Sequence, residues 1–134
     1  MDVINSWSGF RSFNTQASLY NQYVAQSGQA DADTFSARPG YSEHQSGLAF
    51  DLKDSSGDLY RIDDKTYNYA TDWVAQNAHR FGFIVRYLDA WQSITGYHGE
   101  PWHLRYIGLD NATKVFDQNV PLETYLNVSG GDYY

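Results

Sequence analysis

The sequence predicts an α+β fold in which helices flank a small, mainly antiparallel sheet. Strand-like and helix-like segments follow one another without the regular alternation of a parallel α/β protein. Two pairs of strand segments are suitably placed for hairpins, and two long segments carry the apolar spacing of amphipathic helices. With 134 residues the chain is long enough for one core, so we predict a single domain over 1–134.

The N-terminal half contains two strands and two helices. In chain order the predictions are a strand at 2–8, a helix at 15–26, a short helix at 31–35 and a strand at 48–53. The longer helix places Leu19, Tyr20 and Tyr23 on one face, and Gly28 stands where a C-cap is expected. The intervening 36–46 is predicted as a loop because it contains Pro39 and Gly40.

The C-terminal half follows the same rules. The predictions are a turn at 55–58, a strand at 59–62, a helix at 66–81, a strand at 83–87, a loop at 89–99, a strand at 102–107, and helices at 110–118 and from Pro121. Gly82 ends the first of these helices, Asp110 caps the second, and Pro121 suits the first turn of the third.

Composition excludes several classes of protein. The net charge of −7 and the lack of any Lys/Arg cluster disfavour a nucleic-acid partner. Cysteine is absent, so neither a disulfide framework nor a thiolate metal site is expected. No apolar run reaches the roughly 20 residues that span a bilayer. Aromatic residues make up 17% of the chain, which suits either a tyrosine-rich core or a groove that grips a polymer.

The two ends give expectations about location. A strand pattern begins immediately after Met1, so residues 1–6 are interpreted as a trimmed start, with an export signal or anchor expected upstream. Residues 129–134 contain two glycines and are predicted to form a flexible tail. We expect a monomer, and the lack of cysteine is compatible with an exported bacterial protein that is extracellular or anchored outside the cell.

Two separated segments carry the chemistry. His44 and Asp51 lie on a loop and the strand that follows it, and His103 lies at the start of a later strand. If the strands pair, and a turn through Gly47 folds His44 back, two imidazoles and one carboxylate converge. This ligand set holds a catalytic zinc and leaves a fourth position open. Glu100, three residues before His103, is then suited to act as the general base.

The two segments resemble the zinc D-Ala-D-Ala carboxypeptidase family, and the VanY-type branch most of all. That branch belongs to a larger group that includes lysostaphin and the hedgehog signalling domain. The matching motif positions are Ser42, His44, Gly47, Ala49, Asp51, Glu100, Trp102 and His103. Residues 8–12 also match, with Phe10 where the family usually has tyrosine, and so does 38–41. The likeness covers the chain from about Trp7 to Gly108.

The resemblance implies a role for each matching residue. It implies one Zn²⁺ per chain on His44, Asp51 and His103, a hedgehog/D-Ala-D-Ala-peptidase-like fold with the zinc in a cleft on the sheet, and Glu100 as the catalytic base. It also implies that Arg11 faces either the developing oxyanion or the terminal carboxylate of the substrate, since a guanidinium binds carboxylates in a bidentate manner.

Three further residues are candidates for substrate binding. Gln16 and Ser42 match positions that line the substrate site in the family; otherwise they are an exposed helix residue and a turn-forming serine. Tyr87 ends a strand close to the active-site loop and either contacts the peptide or packs in the core. His79 and His98 lack the spacing of metal ligands, although His98 is near enough to Glu100 to hydrogen-bond beside the site.

The resemblance implies a zinc carboxypeptidase that removes the C-terminal D-alanine from peptidoglycan stem peptides. The motifs do not distinguish a D,D-carboxypeptidase acting on D-Ala-D-Ala from an L,D-carboxypeptidase acting on the tetrapeptide. Two alternatives stay open: a peptidoglycan endopeptidase of the same fold, and a non-catalytic zinc-containing module that binds the cell wall. The presence of both Glu100 and Arg11 favours an enzyme, because a structural zinc needs neither.

Overall fold

A computed structural model describes residues 6–53, 68–131 and 133. Four strands lie in this part of the chain: β1 (Ser6–Ser8), β2 (Ala49–Lys53), β3 (Phe83–Tyr87) and β4 (Glu100–Tyr106). The helices are α1 (Phe13–Ser27), α2 (Gln29–Ala32), α3 (Asn68–Asn77), α4 (Gln92–Thr95), α5 (Leu109–Gln118) and α6 (Leu122–Leu126). Short 3₁₀ turns occupy Glu43–Ser46, Ala78–Phe81 and Asp89–Trp91.

The strands form one antiparallel sheet in the order β1-β2-β4-β3, which confirms the predicted α+β class. The central strands β2 and β4 are distant in sequence but adjacent in the sheet. Their register places Asp51 directly opposite His103. Residues that face each other in this way project to the same side of an antiparallel pair. The pairing on which the predicted metal site depended is therefore present.

The two faces of the sheet have different partners. On one face Leu52 and Leu104 pack with Val74 of α3 in a buried cluster. Successive residues of a strand point to opposite faces, so the neighbours of these leucines, Asp51 and His103, project from the other face. A second cluster joins β3 to α5 and α6; its buried members are Ile84, Ala112, Val115 and Leu122. The polar site thus lies on a sheet supported by apolar packing from behind.

Several element boundaries differ from the predictions. Helix α1 begins at Phe13, two residues early, because the Ser12 hydroxyl accepts a hydrogen bond from the Thr15 amide at 3.2 Å and caps the helix. The short helix predicted at 31–35 is found at Gln29–Ala32 instead. The predicted turn at 55–58 and strand at 59–62 lie outside the described residues.

Two differences affect the site itself. The loop predicted at 89–99 contains a 3₁₀ turn and α4, which are too short to show an apolar period. Strand β4 begins at Glu100 rather than at Trp102, so the candidate base and His103 belong to the same strand. Glu100 is paired there with Tyr87 of β3. The base is therefore held by sheet hydrogen bonding and not by a loop.

The described part of the C-terminal segment packs against the domain. A Cβ on Gly96 would lie only 2.7 Å from the Cα of Gly131. The Tyr133 hydroxyl lies 2.5 Å from that of Tyr97, and its ring packs on Arg38. The flexibility of residues 129–134 stays a prediction beside these contacts. Within the described ranges, none of the helices combines the length and hydropathy required to cross a bilayer.

Candidate metal centre and active site

A short turn positions the first predicted ligand. The 3₁₀ turn that contains His44 ends at Gly47, whose φ of 74° is the left-handed conformation that glycine adopts at little cost. The turn directs His44 back toward β2, as the sequence predicted. The Nδ1 atom of His44 lies 2.8 Å from the carbonyl oxygen of Gly9. This hydrogen bond makes Nδ1 the donor and leaves Nε2 free to bind a metal.

Three buried groups converge at one point. The His44 Nε2 atom lies 3.4 Å from Asp51 Oδ2, and the His103 Nδ1 atom lies 3.3 Å from Asp51 Oδ1. One candidate ligand atom from each of the three residues lies within 4.8 Å of the other two. Asp51 Oδ1 is buried and has no hydrogen-bond partner among the described residues. An unsatisfied buried oxygen beside two imidazole nitrogens fits a divalent cation such as zinc.

Electrostatics around these groups favours binding of a cation. Burial raises the pKa of Asp51, but the imidazoles of His103 and His44 beside its carboxylate favour the charged form and hold this pKa well below its ordinary value. Burial lowers the pKa of His103, but its contacts with the Asp51 and Glu43 carboxylates reverse the shift and raise it to about 9. Without a cation, a proton on His103 would balance the carboxylates. A metal ion held by His44, Asp51 and His103 would take the place of that proton.

Glu100 lies beside the three ligands. Its Oε2 atom is 3.5 Å from His103 Nδ1. Burial raises the pKa of Glu100 to about 7, with the charges of Asp51 and Glu43 adding to the rise and those of His103 and Arg11 opposing it. A carboxylate with a pKa near neutrality, next to a metal position, is well placed to exchange protons.

Arg11 precedes all three ligands in the sequence, but its side chain lies beside them in the structure. Its Nη2 atom lies 3.7 Å from Asp51 Oδ2 and donates a hydrogen bond to the Ser8 hydroxyl at 3.3 Å. Its Nη1 atom donates to Gln16 Oε1 at 2.8 Å, and its backbone amide donates to the His44 carbonyl at 3.1 Å. The guanidinium is thus fixed on several sides beside the metal position.

Gln16 is buried, so the alternative prediction of an exposed helix residue is wrong. Only 1% of it is exposed, and its amide nitrogen donates to the carbonyl of Ala37 at 2.6 Å while its oxygen accepts from Arg11. Gln16 therefore orients Arg11. Ser42 is buried at the start of the His44 turn, and the buried ring of Tyr87 lies 4.9 Å from the His103 ring.

One cavity of about 410 Å³ joins all of the predicted site residues. Its lining contains Arg11, Gln16, Ser42, His44, Asp51, Tyr87, Glu100 and His103. One part is polar and includes the ligands, whereas Leu19, Tyr23 and Phe35 make another part apolar. The arrangement can hold a peptide terminus against a metal ion with a base and a cation in reach.

Sequence reasoning missed part of the site. Glu43 and Tyr97 also line the cavity, and neither was singled out. Glu43 adjoins a predicted ligand, and this position was the one available signal for it. His79 stacks on Phe116 at 3.9 Å, away from the ligands. His98 is exposed and is absent from the cavity lining, so no contact of its side chain with the site is seen in the described part of the chain.

An open set of two histidines and one aspartate, with a carboxylate and a guanidinium alongside, defines the class of metal-dependent hydrolases. The family model "VanY: D-alanyl-D-alanine carboxypeptidase" matches residues 3–109. The chain belongs to this family, which confirms the resemblance seen in the motifs.

Known proteins support the assignment along most of the chain. A D-alanyl-D-alanine carboxypeptidase of Enterococcus faecalis is 38% identical over 129 residues, which cover 90% of this chain and 46% of that protein. The crystal structure of the L,D-carboxypeptidase DacB from Streptococcus pneumoniae matches with a TM-score of 0.86 and 47% identity, over 97% of this chain and 67% of that one.

A second solved structure contains a metal. The vancomycin resistance D,D-pentapeptidase VanY, as a variant in complex with Zn(II), matches with a TM-score of 0.78 and 36% identity, over 93% of this chain and 71% of that one. The chain spans about half the length of the curated E. faecalis relative.

Proposed function

We propose that this domain is a zinc-dependent carboxypeptidase that removes the C-terminal D-alanine from peptidoglycan stem peptides. The observation that carries the proposal is the buried cluster of His44, Asp51 and His103 in one cavity with Glu100 and Arg11. Zinc in a similar protein and carboxypeptidase activity in the names of relatives support the choice of metal and reaction.

The residues of the cavity divide the work. His44, Asp51 and His103 would hold the zinc ion, which would supply Lewis acidity for the scissile carbonyl and for a water molecule. The Glu100 carboxylate accepts the proton of the attacking water and passes it to the amine of the departing D-alanine. The raised pKa of Glu100, about 7, suits both halves of this transfer at neutral pH.

Arg11 supplies the positive charge. Its contact with Asp51 at 3.7 Å places the guanidinium beside the metal position, where it stabilises the oxyanion or binds the terminal carboxylate. Gln16 holds Arg11 in this place. Tyr87 packs against the ring of the metal ligand His103, which favours a packing role over contact with the peptide. Ser42 begins the turn that carries His44 and supports it.

The proposal includes both carboxypeptidase specificities. Similar structures include L,D-carboxypeptidases, and a curated relative is a D-alanyl-D-alanine carboxypeptidase. The proposed substrate is a stem peptide ending in D-alanine, and we propose that the enzyme acts at the bacterial cell wall, where that substrate occurs. We propose separately that it acts as a monomer.

Mass spectrometry of purified muropeptides tests the proposal. Pentapeptide and tetrapeptide substrates are incubated with zinc-loaded protein, with and without a chelator, and Glu100→Gln serves as the matched inactive protein. Loss of one D-alanine that stops with chelator is expected. Cleavage inside the stem or crosslink would instead indicate an endopeptidase. Intact peptides in the presence of bound zinc would favour the non-catalytic binding module.

A further inference from the structure

The carboxylate of Glu43 contacts the metal site from behind. Its Oε2 atom lies 3.2 Å from His103 Nε2, the ring nitrogen that does not face Asp51. Its Oε1 atom accepts a hydrogen bond from Arg86 Nε at 2.9 Å and lies 3.0 Å from Arg105 Nη1. Both oxygens of Glu43 are therefore committed to protein groups.

Arg86 is itself held by a distant helix. Only 8% of Arg86 is exposed, and its two terminal nitrogens donate to the two oxygens of Glu123 in α6. The residue lies where the β3–β4 register shifts, between Val85 and Tyr87. Such irregularities redirect a side chain out of its usual alternation. We call the chain of contacts His103–Glu43–Arg86–Glu123 the buried charge chain.

Stability alone does not account for the buried charge chain. Buried ion pairs are often no more stabilising than apolar residues of the same volume, because both charges lose their hydration. The chain ends on a metal ligand, which gives it a specific use. His103 offers Nδ1 to the metal position, so Nε2 must carry the proton and needs an acceptor. Glu43 supplies that acceptor.

Glu43 also connects the two histidine ligands. Glu43 directly precedes His44 in the same 3₁₀ turn, and its side chain contacts the ring of His103. The backbone that carries one ligand is thereby linked to the side chain of the other. Displacement of this turn would move His44 and release His103 together. The hydrogen bonds from Arg86 to Glu43 and to Glu123 oppose such displacement.

We propose that Glu43, anchored by Arg86 and Glu123, is a positioning residue that sets the metal affinity of the site by holding His103 with its proton on Nε2. The inference rests on the metal site of the proposed function, but not on the peptidase reaction. It also assigns α6, which lies outside the family match, a share in metal binding.

The first test measures zinc affinity of purified protein by competition with a chromophoric chelator. Glu43→Gln replaces one of the two accepting oxygens by an NH2 group. If this group faces Arg86 and Arg105, donors oppose donors; if it faces His103, the acceptor for Nε2–H is lost. We expect about 10–100-fold weaker zinc binding, as is typical when an outer partner of a ligand is removed. Asp117→Asn, with the same charge change at an exposed site on α5, controls for net charge and should bind as wild type does.

The second test separates positioning from folding. Cobalt(II) spectra of Glu43→Gln should show altered ligand-field bands, and Glu123→Gln, which leaves Glu43 in place, should show a smaller loss of affinity. A lower melting temperature of the metal-free variant together with wild-type zinc affinity and wild-type cobalt bands would overturn the proposal.

A measurement on the wild type avoids any variant that fails to fold. Long-range ¹H–¹⁵N NMR of zinc-loaded, histidine-labelled protein reports which nitrogen of His103 carries the proton. Protonated Nε2 is expected, and a metal-bound Nε2 would refute the inference. Tight zinc binding that depends on Glu43 in a protein that cleaves no peptide would refute the proposed function and leave this inference standing.

Discussion

Replacement of Glu100 by glutamine gives the sharpest test of the catalytic assignment. The substitution keeps the size and shape of the side chain, but it replaces one carboxylate oxygen by an NH2 group and removes the capacity to accept a proton. Only 13% of the Glu100 side chain is exposed, and its carboxylate lies 3.5 Å from His103 Nδ1, the nitrogen that faces the metal position. Bulk water is therefore a poor substitute for the missing base.

The expected size follows from this geometry. A positioned general base contributes about 10²–10⁴-fold to a rate, which equals about 3–5 kcal/mol of activation free energy. The pKa of Glu100 is raised to about 7, near the optimum for a base at neutral pH, so we expect a loss within that range. Glu100 is not among the three clustered ligands, so zinc affinity should change far less than activity.

The assay follows release of D-alanine from stem peptides over a range of substrate concentrations up to saturation, and the zinc content of the same sample is measured. A fall in kcat with retained zinc and a nearly constant KM supports the assignment. Glu100→Gln protein that turns over at the wild-type rate would refute it. Loss of zinc from the variant would show that Glu100 is a ligand and that the geometry has been misread.

Three other substitutions examine separate parts of the structure. Arg11→Met should lower kcat/KM by about 10²–10³-fold, through kcat if Arg11 stabilises the oxyanion and through KM if it binds the terminal carboxylate; unchanged kinetics would contradict both roles. Asp51→Asn should weaken zinc binding by more than the roughly 10–100-fold typical of an outer partner, measured by chelator competition, and wild-type affinity would exclude Asp51 as a ligand. Hydrogen bonds from Arg38 lower the pKa of Asp33. The stability contributed by the Asp33–Arg38 pair is therefore present above the unfolded-state pKa of Asp33 and is lost as the pH falls through its folded-state pKa. Asp33→Asn should thus make the melting temperature depend less on pH in the acid range. An unchanged acid range would contradict the pairing.

Local sequence patterns located most of the secondary structure. The strands at 48–53 and 83–87 and the helix near 110–118 are found within about a residue, because alternation, apolar spacing and caps are local features. The sequence predicts only a loop at 89–99, although the segment contains α4 (Gln92–Thr95). A helix of one turn is fixed by its surroundings and leaves no periodic pattern.

The surroundings of the ligands were harder to predict than the ligands themselves. Gln16 matches a position of the family and lies five residues after Arg11, but neither feature shows that it is almost completely buried against Arg11. Arg86 was read only as part of a strand. The change in register beside it redirects a charged side chain inward, and such a change depends on the partner strand.

The sequence by itself determined the chemistry of this protein: two imidazoles, a carboxylate ligand, a base and a guanidinium, at spacings that are typical of one peptidase family. These are properties of residue identity and short separations. Tertiary structure alone decided which nitrogen of His103 faces the metal position and what holds the other one. Glu43 and Arg86 are 43 residues apart, and Arg86 and Glu123 are 37 apart. Contacts over such separations arise only when the sheet and α6 assemble, because no local period or motif links their members.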